Sequence, residues 1–311
     1  MRQYMLRCGR SRFRETHLLF IASLGAGLLL RVHGSPPNFG KRIDCGLLEH
    51  AALNEASGLA ASRRNPGILW THNDSDNQSL IFALDSEGNH VAAFALPGAN
   101  CRDWEDIAVG PGPVPGEHYL FIGNIGDNLA RYEHKYIYRV PEPSLSDSLV
   151  APSSISAAET ITFRFPDGRR DAEALMVDPL TRDVYIVSKR ESRARVYRAP
   201  FPQSTSEVIT VEYVGTLDMT NVVAGDISPS GLEVVLKTYD TIYYWRRRQE
   251  QTLAEILQTE PMVLPYVVEP QGEAVCWDAD GLGYYTTSEE LASMPAHLYY
   301  YPRRESTVEQ E

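Results

Sequence analysis

Short apolar stretches recur along this chain, separated by turns rich in Gly, Pro, Asn and Asp. Many alternate apolar with polar residues or are β-branched and aromatic, as half-buried strands require. Five of them open alike: Glu55-Ala-Ser-Gly-Leu-Ala, Asp103-Trp-Glu-Asp-Ile-Ala, Asp171-Ala-Glu-Ala-Leu-Met, Val223-Ala-Gly-Asp-Ile-Ser and Gln271-Gly-Glu-Ala-Val-Cys. Their third positions, 57, 105, 173, 225 and 273, are 48, 68, 52 and 48 residues apart. Such periods are those of propeller blades, about 40–50 residues each.

Each unit carries further strands in the same order. A second run follows a turn (Ile68–Thr71, Tyr119–Ile122, Val184–Val187, Val234–Leu236, Tyr284–Thr286). A third is alternating or aromatic (Leu80–Leu84, Tyr136–Val140, Val196–Ala199, Ile242–Trp245, Leu298–Tyr301), and a fourth closes the first four units (Val91–Leu96, Thr160–Phe165, Val211–Leu217, Met262–Val267). The fifth unit lacks its fourth strand, while a strand-like piece, Arg42 to Leu48, precedes the first unit. A ring in which that piece completes the last blade leaves no sheet short and few exposed edges. The pattern therefore predicts an all-β propeller of five four-stranded blades over 42–302. A six-bladed ring would need a cryptic repeat in the long second interval, where Pro141 to Ser156 reads instead as an insertion. Gln249–Glu260 reads as a short helical insertion, 35–41 as a linker and Arg303–Glu311 as a disordered tail.

The first 34 residues differ from the rest. Five Arg precede a 13-residue apolar run, Leu18 to Leu30. That is a signal-peptide core, shorter than the roughly 20 residues of a membrane-spanning helix. Val32 and Gly34 would sit at positions −3 and −1 of a cut before Ser35; Arg31 leaves an uncleaved anchor open, and the Arg-rich start an organelle presequence. The expected location is extracytoplasmic: secreted, periplasmic or tethered, with membrane contact only through the leader. Beyond residue 34 the chain holds 23 basic and 40 acidic side chains, a formal charge of −17. Such a surface repels phosphate backbones, which argues against nucleic-acid partners. Cys45, Cys101 and Cys276 make an odd set, and the ring would put Cys45 and Cys276 on the outermost and innermost strands of one blade, too far apart to bridge.

The start of a first strand and the end of a second share one rim of the channel. That rim gathers Glu55, Asp103, Glu105, Asp106, Asp171, Glu173, Asp226 and Glu273 with His72-Asn-Asp74, Asn124-Ile-Gly-Asp127-Asn128, Ser188-Lys-Arg190, Lys237-Thr-Tyr239 and Ser288-Glu-Glu290. Converging carboxylate and amide oxygens suit Ca²⁺, which takes six to eight oxygen ligands. The candidate ligands are Glu55, Asp106, Asn124, Asp127, Asn128, Glu173, Asp226 and Glu273. Lys189, Arg190 and Lys237 could equally neutralise the rim through salt bridges, and turn chemistry alone accounts for some Asn and Asp. Strand alternation would line the channel with Gly58, Asp106 and Asp226 and tuck Glu105 and Glu173 toward neighbouring blades. Candidate proton-transfer groups are Asp127, Glu105 and His72. Signatures of zinc peptidases, α/β-hydrolases and P-loops are absent from the sequence.

The strings Asn54-Glu-Ala-Ser-Gly-Leu-Ala-Ala-Ser, Ile68-Leu-Trp-Thr-His-Asn-Asp-Ser, Arg102-Asp-Trp-Glu-Asp-Ile-Ala, Gly123-Asn-Ile-Gly-Asp-Asn128 and Arg169-Arg-Asp-Ala-Glu-Ala-Leu resemble exported propeller proteins near the SdiA-regulated group and the wider TolB-like, strictosidine-synthase-like superfamily. The resemblance spans about Asn54 to Pro302 and implies fold and export, with no established substrate. More distant gluconolactonase and paraoxonase types hold Ca²⁺ at the channel mouth through Glu, Asn and Asp. Glu55 resembles the first of those ligands and Asn124 or Asn128 another, while their paired catalytic His residues have no counterpart here.

Three functions fit this reading. The first is an exported propeller binding a small molecule or protein at an acidic mouth ordered by a divalent cation, without assigned catalysis. The second is a Ca²⁺-dependent lactonase, esterase or phosphoesterase in which the metal polarises the substrate oxygen. The third is an extracellular acidic scaffold.

Overall fold

The computed structural model describes residues 37–75, 77–145, 155, 158–291 and 294–304. The expected leader and most of the Pro141–Ser156 insertion lie outside these residues, as does the tail from 305.

Strand β1 (Ile43–Leu47) comes first. Blade one is β2 (Ala56–Ala61), β3 (Ile68–Asn73), β4 (Leu80–Asp85) and β5 (His90–Ala95). Blade two is β6 (Trp104–Pro111), β7 (His118–Asn124), β8 (Lys135–Pro141) and β9 (Glu159–Arg164). Blade three is β10 (Ala172–Val177), β11 (Val184–Ser188), β12 (Arg195–Ala199) and β14 (Glu212–Thr216); the loop before β14 lends β13 (Ile209–Thr210) to blade two as a parallel fifth strand. Blade four is β15 (Val222–Ile227), β16 (Glu233–Thr238), β17 (Ile242–Arg246) and β18 (Met262–Leu264). Blade five is β19 (Ala274–Trp277), β20 (Gly283–Thr287) and β21 (His297–Pro302), and its outer strand is β1. Ile43 pairs with Tyr300 and Leu47 with His297, so the N-terminal strand closes the ring as predicted. The protein is a five-bladed β-propeller.

Alternation along each strand explains why the blades stack. In β7, Tyr119 and Phe121 face blade three, whereas Leu120 and Ile122 face blade one. The core is accordingly divided into five apolar clusters, one per interface between neighbouring blades, including that between blades five and one. The predicted helical insertion is α1 (Leu253–Leu257), started by a reciprocal Thr252–Glu255 capping box, and it buries Leu253, Ile256 and Leu257 against blades three and four. Cys45, Cys101 and Cys276 are free thiols.

One irregularity recurs at the same place. The pairing of β2 with β3 slips between Ala56 and Gly58, that of β6 with β7 between Trp104 and Ile107, that of β10 with β11 between Ala172 and Ala174, and that of β15 with β16 between Val222 and Ala224. Bulges of this kind re-aim side chains at strand ends. They also correct the repeat. Val223, not Gly225, is the blade-four counterpart of Ser57, Glu105 and Glu173, because Gly225 pairs with Leu236 as Ile107 pairs with Ile122. Gly225-Asp-Ile mimics Glu105-Asp-Ile in sequence but lies two residues further along its strand.

The innermost strands are buried almost throughout and touch one another in ring order. Each has one edge with no strand beyond it, so its channel-facing N–H groups need other acceptors. Asp106 supplies them. Its Oδ1 accepts from Ile107 N at 2.9 Å, and its Oδ2 accepts from Leu175 N at 2.9 Å and Gly225 N at 3.2 Å, joining blades two, three and four. Asp226 repeats the device: it accepts from Ile227 N at 2.8 Å and reaches blade five at Trp277 N, also 2.8 Å. Burial pushes the Asp106 carboxyl well above the usual range against the pull of these amides.

Replacing Asp106 with Ala orphans three buried N–H groups at once. Urea unfolding should show a loss of about 3–9 kcal/mol, from roughly 1–3 kcal/mol for each of the three orphaned groups. Stability within about 0.5 kcal/mol of the parent would contradict the assigned role.

Candidate functional site

The bulges deliver Glu105 and Glu173 to one mouth of the channel, and Glu273 joins them from just before β19. Asp103 and Asp171 sit two residues earlier in blades two and three, and Asp74 follows the end of β3. The result is two overlapping carboxylate triads, Asp74–Asp103–Glu105 and Glu105–Asp171–Glu173, each with its oxygens within 4.8 Å of one another. Glu105 belongs to both and is 4 % exposed.

The two triads differ in their compensation. On the second, Lys189 forms a close ion pair with Glu173 and reaches 3.9 Å from Glu273 across the mouth. Lys189 also donates to the Tyr239 hydroxyl at 2.9 Å, which donates to Glu273 at 2.5 Å. Burial pulls the ammonium down, but Glu173, Tyr239 and Glu273 hold it above its usual range. Asp171 Oδ1 accepts from Asp127 N at 2.7 Å. Its Oδ2 lies 2.6 Å from Arg190 Nε, close enough for charge compensation but without hydrogen-bond alignment.

The first triad has no such cover. Among the described residues, no ion pair or hydrogen-bond donor reaches the carboxylates of Asp103 or Glu105, and Asp74 Oδ1 is buried without a partner. Burial, then the charges of Asp103 and Glu273, pushes Asp74 up to about 7. Burial and Asp171 raise Asp103 despite Lys135 and Arg102 nearby, and burial with Glu173 and Asp74 drives Glu105 well above the carboxylate range. Gly126 makes the crowding possible: a Cβ there would overlap Glu105 Oε1 and the Asp103 carboxylate. Beside the triad, Glu289 is pushed up to about 8 by burial and by Glu273 and Asp74.

The other residues singled out in the sequence have different settings. Glu55, half-buried, accepts from Asn77 Nδ2 at 2.5 Å. Asn124 braces the blade-two turn, accepting from Asp103 N and donating to Asn100 O. Asp127 accepts from Arg131 N and Tyr132 N and pairs with Lys135 at 3.0 Å; burial pushes its pKa up, but these partners outweigh it and hold the carboxylate below its usual range. Asn128 is exposed on the following loop. Asp106 and Asp226 serve backbone amides deeper in the channel. His72 is fully buried edge-on to Trp104, and burial pulls it down to about 4. Glu105 sits at the bulge, and its carboxylate lies against Asp171 and Glu173 of neighbouring blade three as well as Asp103 of its own blade and Asp74 of blade one. Asp74 and Asp103 were legible as rim residues, yet only the tertiary contacts show that the available cations pass them by. Of those cations, Lys237 donates to the Thr238 and Gly272 carbonyls.

Comparison with known proteins assigns no family: no family model and no curated protein matches the chain. Among solved structures, similarity extends to a Dos1 propeller (11 % identity, 78 % of this chain and 67 % of that one, TM-score 0.38). It also extends to a nidogen/laminin complex (10 % identity, 77 % and 74 %, TM-score 0.45). At such scores the fold rests on the strand pairing itself.

The raised carboxyls give stability a pH dependence of definite sign. Asp74 and Glu289 favour the protonated form when folded, so their contribution is complete below pH about 4 and lost as pH climbs through about 7 and 8. In chelator, the melting temperature should fall between pH 5.5 and 8.5. A flat or rising profile would show that the mouth is not under electrostatic strain.

Proposed function

We propose that this chain is an exported propeller that binds a small molecule or protein partner at its acidic mouth, which a divalent cation orders. The cation would be held by Asp74, Asp103 and Glu105. The observation that carries this reading is the buried Glu105 carboxylate, which among the described residues no cation or hydrogen-bond donor reaches, and which lies with Asp103 and the unpartnered Asp74 Oδ1. An all-carboxylate donor set fits a hard ion such as Ca²⁺. The ion would supply positive charge where the fold concentrates negative charge, with coordination sites left for a partner's oxygen. The loop after β7 exposes Leu129 and Tyr132 (65 % and 45 %), and Arg102, the residue before Asp103, stacks on the Tyr132 ring at 4.0 Å. Support for export comes from the Arg-rich start, the 13-residue apolar run and the acidity of the rest.

Thermal melting with EDTA and with Ca²⁺ tests the reading. At a hundredfold excess over Kd, Ca²⁺ should raise the melting temperature by about 5–10 °C. Glu105→Gln and Asp74→Asn should abolish the rise, and so should Gly126→Ala, whose methyl displaces both carboxylates. Glu173→Gln should keep it. No shift in the parent protein, or an equal shift in Glu105→Gln, would reject the site.

A further inference from the structure

A second pocket, of about 300 Å³, opens on blade five. Its walls come from the segment before β19 (Glu269), the loop after β20 (Glu289, Leu291, Met294) and the start of β21 (His297, Tyr299). Glu269 is 4 % exposed; its Oε1 accepts from the Thr286 hydroxyl at 2.6 Å, while Oε2 is buried without a partner. Lys237 and Arg42 lie near enough to attract the Glu269 carboxylate, but among the described residues neither forms an ion pair or hydrogen bond with it. Lys237 donates to Thr238 O and Gly272 O and lies over the Tyr266 ring at 4.5 Å, and no ion pair joins it to Glu269 among the described residues. Arg42 is stacked over Tyr299 at 4.0 Å, likewise without an ion pair to Glu269. A carboxylate left short of a donor costs stability that a ligand can recover.

The lip has the opposite character. Leu291 and Met294 are 43 % and 49 % exposed, and Pro270 and Pro295 extend the apolar wall. Glu289 adds a second carboxyl beside it. We infer that this pocket binds a primary ammonium or guanidinium on a short aliphatic stem, with the charged head at Glu269 and Glu289 and the stem along Leu291 and Met294. The apolar wall accepts methylenes, as it would the stem of a lysine or arginine, while the two acids select the charged end. The surrounding surface, formally −17 beyond the leader, would draw in cations at a distance. The shared chemistry can come from a free amine or from a basic side chain of a protein.

Calorimetric or NMR titration of the full chain with n-butylammonium and n-butylguanidinium tests this, with 1-butanol as the uncharged control. At least one cation should bind about tenfold or more tightly than butanol. Glu269→Gln keeps the acceptor for Thr286 and should lower cation affinity about tenfold or more. Leu291→Arg, on the exposed lip, should do the same by repulsion without disturbing the core. Glu105→Gln should leave amine binding unchanged, which separates this pocket from the cation site at the mouth. A blocked lysine tripeptide that binds as tightly as butylammonium would assign the pocket to a protein segment; its exclusion while butylammonium binds would assign a free amine. Butanol binding as well as the cations, or undiminished binding by both Glu269→Gln and Leu291→Arg, would overturn the inference.

Discussion

The propeller depends on a backbone constraint at its axis. Five innermost strands each turn an edge toward the channel where no further strand can pair. Buried N–H groups cannot be left unpaired without a cost of a kcal/mol or more each. Asp106 and Asp226 meet this demand with carboxylates that span from one blade to the next, so the residues that fill the axis also tie the ring together. The closure by β1 does at the circumference what these acids do at the centre. It gives blade five its fourth strand and lets the apolar clusters run around the whole circle.

The acidity of the mouth follows from the same geometry. Bulges at the head of the inner strands turn Glu105 and Glu173 inward, and a narrow ring brings them near acids from other blades. The protein neutralises one side with Lys189, which serves Glu173 of its own blade and approaches Glu273 of blade five. On the other side, Asp74, Asp103 and Glu105 face one another, and among the described residues no cation pairs with them. Gly126 keeps that arrangement by offering no side chain to separate them. A site that costs stability in the free protein is one whose ligand binding can repay it.

Much of this fold was legible in the sequence because blade stacking demands apolar alternation on every strand, and alternation survives in the amino-acid order. The strand at Arg42–Leu48 was found on that ground, and the helix at Leu253–Leu257 falls within the insertion expected at Gln249–Glu260. The blade-four register was not, since Gly225-Asp-Ile resembles Glu105-Asp-Ile and nothing in the order of residues marks a bulge. Nor could the order of residues show that Asp127 is absorbed by its own turn and Lys135, or that Asn124 braces a loop. Those assignments depend on contacts between segments distant in sequence. The order of residues left a salt-bridged rim and a metal site both open; Lys189 and Arg190 compensate one half of the mouth, while among the described residues no cation pairs with Asp74, Asp103 or Glu105.

The most direct test is anomalous diffraction from crystals of the protein soaked in Mn²⁺ or a lanthanide. The account predicts a peak at about 2.0–2.6 Å from carboxylate oxygens of Asp74, Asp103 and Glu105. A peak confined to the Lys189 side of the mouth, or no peak at the mouth at saturating ion, would contradict it.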